Sequence, residues 1–194
     1  MPEPGLGDVC CVRTNGWAAA LIRWVEGKPR FTSPWLCWLW WLRKPALVNH
    51  VATYIGDGEV MEGRPSGAGT TPITDYPDAI WLNLPMPDGQ RRYAVLRAKA
   101  MQGTRYGWLN CLCIGLGRLF DYDPPQWVRR ILKSRRWEEC AQMADAEIND
   151  SADDYERNNP GHNGLRLFRD GRPEGLVSPD DILQEWAPRA HVQA

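Results

Sequence analysis

Short apolar runs and amphipathic periods alternate along the chain, and their spacing predicts an α+β fold. After the Gly7-Asp8 turn, Val9-Cys10-Cys11-Val12 is a compact apolar run without helical spacing, which predicts a short buried strand. From Trp17 the apolar positions recur at i, i+4 and i+7 or i+8 through Leu21, Trp24 and Val25, the period of a helix that Gly27 and Pro29 then end. Val48 to Ile55, the turn Gly56-Asp57-Gly58 and Glu59 to Glu62 together predict a β-hairpin, because β-branched runs flank a glycine-bearing turn. The Gly-, Pro-, Ser- and Thr-rich stretch 63–77 predicts a loop, Ala79 to Leu84 a strand, and Tyr93-Ala-Val-Leu96 a further strand.

The second half carries more helical signal. Residues 98–101 predict a helix start broken at Gly103, residues 108–120 an apolar helix weakened by Gly115 and Gly117, and residues 126–133 an amphipathic helix with a basic face. A helix from about Glu139 to Ile148 follows. The polar stretch 149–163 predicts a mobile loop. Ser178 as N-cap and Pro179 at the first helical position then open a last helix through Trp186.

Composition narrows the function classes. At 194 residues with 43% apolar content the chain is sized for one domain, 1–194, with a single core. A formal net charge of −1 supplies no basic field for nucleic acid. The start, MPEPGLGDV, lacks the cationic and apolar regions of a secretory signal, so a cytoplasmic beginning is expected. Six cysteines without framework spacing are expected to be reduced thiols. Cys111 and Cys113 have no second pair at zinc spacing, so neither a metal nor another cofactor is expected.

Tryptophan is the compositional outlier. Eleven are present, and Trp35, Trp38, Trp40 and Trp41 crowd one insertion at about residues 28–45. The run is too short to cross a bilayer, which needs about 20 apolar residues. It suits a buried hairpin, a lid, or a surface that contacts a membrane or a protein partner.

Candidate chemistry comes from a thiol and an imidazole. A nucleophilic cysteine needs its thiolate favoured, which a helix N-terminus and a nearby imidazole both do. Cys140 opens the helix that precedes Ile148, where unsatisfied backbone amides also offer an oxyanion site. His50 lies on the first strand of the hairpin and Glu62 twelve residues later on the second. With a three-residue loop, Ile55 pairs with Glu59 and Ala52 with Glu62, so His50 and Glu62 share a face as diagonal neighbours about 7–8 Å apart. A two-residue loop puts them on opposite faces. A carboxylate on one imidazole nitrogen leaves the other to take the thiol proton.

These residues resemble the permuted papain-like amidases, the branch of the NlpC-type cysteine hydrolases in which the His strand precedes the Cys helix. The matching elements are Gly7-Asp8-Val9, Asn49-His50-Val51 with Tyr54-Ile55-Gly56-Asp57-Gly58, Glu62, Tyr106-Gly107-Trp108 and Cys140. The ending Leu167-Phe168-Arg-Asp170-Gly171-Arg172 with Ser178-Pro179-Asp180-Asp181 is similar to the family's closing strand and helix. The resemblance implies an antiparallel sheet of about four to six strands packed against helices, in circularly permuted order. It implies a Cys140, His50 and Glu62 triad that cleaves amide bonds through an acyl-thioester, with cell-wall peptide as the substrate class and a bacterial or phage source, released or virion-associated in the phage case. It also implies Tyr106 as a cleft residue; Tyr54, Trp38 and Trp41 are further candidates to line the substrate site. This chain departs from the family in Ala141, where serine often follows the nucleophile, and in the Trp-rich insertion. Two other readings stand beside the amidase: a lipid ester or thioester hydrolase or acyltransferase at a membrane, and a non-catalytic interaction module in a larger assembly.

Overall fold

The computed structural model describes residues 4–26, 45–106, 137–138, 140–168 and 179–186. Five strands form one antiparallel sheet: β1 (Val9–Val12), β2 (His50–Gly56), β3 (Glu59–Arg64), β4 (Gly67–Pro72) and β5 (Ile80–Leu82), in the spatial order β4-β3-β2-β1-β5. Four α-helices accompany it among the described residues: α1 (Trp17–Glu26), α2 (Asp88–Ala100), α3 (Cys140–Asn158) and α4 (Pro179–Trp186). A two-stranded parallel ribbon joins β6 (Arg105–Tyr106) to β7 (Trp137–Glu138). No helix among the described residues is long and apolar enough to cross a membrane.

The sheet has two differently covered faces, set by the alternation of side chains along each strand. Val9 and Cys11 on β1, Val51 on β2 and Leu82 on β5 face the helices and pack with Ala141, Ala144 and Ile148 of α3 and Ile182, Leu183 and Trp186 of α4. Farther along the same face, Ile55, Met61 and Ala68 meet Ala98 of α2 and Met143 of α3. The alternate residues Cys10, Val12, Ala52, Tyr54 and Val60 form a second core on the other face, covered by Ile73, Tyr76, Ala79 and Trp81. A short 3-10 turn, Ile73–Asp75, carries the chain across that face.

Three expectations are corrected. The predicted loop 63–77 contains β4 and the 3-10 turn; its glycines pair in register with β3, from Glu59 opposite Pro72 to Arg64 opposite Gly67. The predicted strand at Tyr93 to Leu96 is the middle of α2, whose buried stripe is Gln90, Ala94 and Ala98 at i, i+4 and i+8. That stripe is polar and small, and the apolar run does not mark the buried face: Leu96 is exposed. The predicted mobile loop 149–163 is helical as far as Asn158. Here Ser151 and Ala152 are fully buried, while Asp153, Asp154 and Glu156 lie on the ion-paired side of α3 with Arg97 and Arg166.

Of the expected closing strand, 167–172, only Leu167 and Phe168 are described, and neither is in a strand; the rest lies outside the described residues. The backbone of residues 165–168 is held by side chains instead, Leu165 N–H by Gln90 Oε1 at 2.6 Å and Leu167 N–H by Asn149 Oδ1 at 3.1 Å. Pro179 begins α4 as its sequence position predicted. The expected helices at 108–120 and 126–133 and nearly all of the Trp-rich insertion, including Trp38 and Trp41, lie outside the described residues.

Candidate active site

The β2–β3 hairpin reaches the required register by an unexpected route. Gly56 pairs with Glu59 across a two-residue turn, Asp57-Gly58, with both central residues at positive φ (55° and 72°), the backbone that matches strand twist. On its own such a turn would separate His50 from Glu62. A bulge between Tyr54 and Gly56 adds one residue, Ile55, and restores the alternation, so Tyr54 faces Val60 and Ala52 faces Glu62. The expected Ile55–Glu59 pairing is therefore replaced, while the shared face of His50 and Glu62 stands.

On that face His50 Nε2 is hydrogen-bonded to Glu62 Oε2. Three more donors hold the same carboxylate. The Tyr76 hydroxyl donates to Oε2, the Thr71 hydroxyl to Oε1, and Arg64 Nε to Oε1 at 2.6 Å. Arg64 also donates to the Thr70 carbonyl at 2.7 Å, which fixes the guanidinium against β4. Glu62 is 3% exposed, so burial pushes its carboxyl pKa upward. The hydrogen bond and charge of His50, with the Thr71 and Tyr76 hydroxyls, outweigh that and bring it down from 4.5 to about 2. A buried carboxylate this well supplied with donors stays ionised and fixed in orientation.

With Nε2 committed to Glu62, Nδ1 is the imidazole nitrogen left for a second partner. The ring is largely covered, its centroid 6.1 Å from that of Tyr76 and tilted by 51°.

Cys140 approaches the same end of the hairpin from the helix side. A Cβ on Gly63 would lie 3.2 Å from Cys140 N, 3.3 Å from Cys140 Cα and 2.9 Å from Met143 Sδ, so the first turn of α3 rests on bare backbone of β3. The residue before Gly63 is Glu62. The helix start and the dyad thus flank one end of β3 from its two faces. Cys140 is buried and outside any disulfide, as are Cys10 and Cys11. Tyr106 pairs in the parallel ribbon with Glu138, two residues ahead of Cys140 in sequence.

Tyr54 takes a different place from the one expected. It is 4% exposed in the second core, edge-on to Trp81 with centroids 6.0 Å apart, and its hydroxyl accepts the Gly58 N–H at 3.3 Å. It braces the hairpin rather than lining an open cleft. Thr71, Tyr76 and Arg64 were missed because they fall in or beside the stretch read as a loop. A strand reading of 67–72 would have put Thr71 on the Glu62 face. Among the described residues no three His, Cys, Asp or Glu side chains gather within metal-binding range.

Comparison with protein-family models, with curated proteins and with solved structures finds no match. The chemistry is read from the chain's own residues.

Proposed function

We propose that this chain is a cysteine hydrolase of the permuted papain-like kind, with Cys140 as nucleophile, His50 as its general base and Glu62 orienting the imidazole. The observation that carries the reading is the His50–Glu62 dyad, held through Nε2 and aimed by register, at the strand end on which the N-terminus of α3 rests. In the reaction Cys140 Sγ attacks a carbonyl carbon and its proton passes to His50 Nδ1. The backbone amides of the first turn of α3 are suited to receive the oxyanion. Collapse of the tetrahedral adduct expels the amine, which takes the proton from His50, and leaves an acyl-thioester. Water, deprotonated by His50, then releases the acid and the thiol. The substrate class, amide bonds of cell-wall peptide, rests on the resemblance alone. The proton transfer requires Sγ to meet Nδ1 around the open end of the hairpin.

The test uses purified cell wall. Wild-type protein thins it, and Cys140→Ala is slower by roughly 10³-fold or more. A Cys140→Ala protein as active as wild type removes the peptidase reading.

A second reading is favoured by one surface feature. Trp17 is 83% exposed and Leu21 and Leu47 more than half exposed, on the segments that flank residues 27–44. An apolar surface with tryptophan suits a lipid interface, and the same thiol chemistry would then act on an acyl ester or thioester. Vesicle binding that falls on Trp17→Ala favours this version; the absence of any vesicle binding removes it.

A further inference from the structure

The Glu62 carboxylate receives two hydrogen bonds on one oxygen, and only one of them comes from His50. The other comes from Tyr76, a residue reached through the 3-10 turn Ile73–Asp75 after β4. Its backbone N–H closes that turn on the Ile73 carbonyl, so the position of the ring is fixed from its own segment. The ring also lies against the imidazole it serves. Thr71 and Arg64 hold Oε1 in the same way from β4 and β3.

We infer that Tyr76 is a positioning residue of the dyad: its hydroxyl fixes the rotation of the Glu62 carboxylate, so that Oε2 faces His50 Nε2 and Nδ1 remains the nitrogen left for a second partner. The catalytic consequence rests on the cysteine-hydrolase reading, whereas the effect on His50 itself does not. A phenol that donates to Oε2 draws negative charge from the atom that His50 also uses. It therefore moderates how strongly Glu62 holds the imidazole proton. Among the described residues the other groups that face the dyad are Arg64 on β3, whose charge acts in the same direction, and Cys10 on β1, a buried thiol. Burial and the Glu62 carboxylate together push the Tyr76 phenol pKa well above its ordinary value, so it keeps its proton and stays a donor.

The test is the titration of His50 followed by NMR of its ring nitrogens in the full chain, for wild type and Tyr76→Phe. In wild type the neutral ring is expected to carry its proton on Nε2, the nitrogen bonded to Glu62. In Tyr76→Phe the carboxylate regains charge on Oε2, and the His50 midpoint rises by about 0.5 unit or more. Iodoacetamide labelling of Cys140 then shows a displaced pH profile. An unchanged His50 midpoint and tautomer, with stability alone reduced, overturns the inference. If Tyr76→Phe does not fold, fluorotyrosine at position 76 keeps the packing and strengthens the donor. The midpoint is then expected to fall, and no movement overturns the inference equally. Because the midpoint is read on His50, a Cys140 that labels sluggishly in every variant counts against the hydrolase and leaves the positioning result standing.

Discussion

Glu62 gathers four donors into a buried space, and its ionisation is therefore tied to folding. Its carboxyl sits at about 2 in the fold against an ordinary 4.5. A lowered carboxylate adds stability that is fully present above the unfolded value and is lost as pH falls through the folded one. Denaturant titrations are expected to show stability falling between about pH 4.5 and 2, and Glu62→Gln should flatten that limb while lowering stability at pH 7 by about 3 kcal/mol. An unchanged acid limb in Glu62→Gln would mean that other carboxylates set it. Cys10 behaves oppositely: burial foremost, with the Glu62 charge also opposing ionisation, pushes its thiol up to about 12. It should resist alkylation at neutral pH in the native protein and label only on unfolding, which makes it an internal reference for the other thiols. The His50–Glu62 pairing and the helix start at Cys140 were legible at this scale because each sits beside a local signal, a hairpin or a helix start. Tyr76 and Thr71 were not, since no short-range pattern announces which hydroxyl will fold over a carboxylate.

The hairpin and α3 meet at Gly63, and this contact decides where the nucleophile sits. Gly63→Ala places a methyl group 2.9 Å from Met143 Sδ and 3.2 Å from Cys140 N. The methionine can turn aside, but the backbone must shift by a few tenths of an ångström. Stability is expected to drop by about 1–3 kcal/mol. Labelling of Cys140 should slow by more than that loss explains, as a displaced helix start loses its alignment; wild-type labelling in Gly63→Ala would show that the helix start is not positioned there. The elements themselves were unevenly legible. β1, the hairpin and the start of α4 at Pro179 follow period, turn chemistry and the preference for proline at a first helical position, all local. The Ala52–Glu62 pairing stands through two departures that cancel, a shorter turn and a bulge at Ile55, while Gly56 replaces Ile55 opposite Glu59. β4 is built from glycine and threonine and exists because β3 offers it a ladder, a tertiary effect that outweighs weak strand propensity. The middle of α2 and the end of α3 escaped because their buried positions are Gln90, Ala94, Ser151 and Ala152, residues whose burial comes from close helix packing rather than from an apolar stripe.

Across the whole molecule, one polar side chain ties α2 to α3 and to the 165–168 segment. Gln90 of α2 is fully buried and donates to the Leu165 carbonyl at 2.7 Å and to Ser151 Oγ of α3 at 3.2 Å, while its own carbonyl takes the Leu165 N–H. Gln90→Ala leaves the backbone of Leu165 without those partners and opens space between α2 and α3. A loss of about 2–4 kcal/mol in denaturant unfolding is expected; a loss below about 0.5 kcal/mol would mean that the 165–168 segment is held elsewhere. The α+β class and the helix that begins at Cys140 agree between pattern and structure, because the period of apolar positions governs both, and the five-stranded antiparallel sheet agrees with what the resemblance implies. The central claim is that the thiol at that helix start is activated by His50. The direct measurement is the rate of iodoacetamide labelling of each cysteine at pH 7, mapped by mass spectrometry, in wild type and His50→Gln. Cys140 should label at least about 10-fold faster than the other five thiols and lose that advantage in His50→Gln. Equal, slow labelling of Cys140 in both proteins would contradict the account.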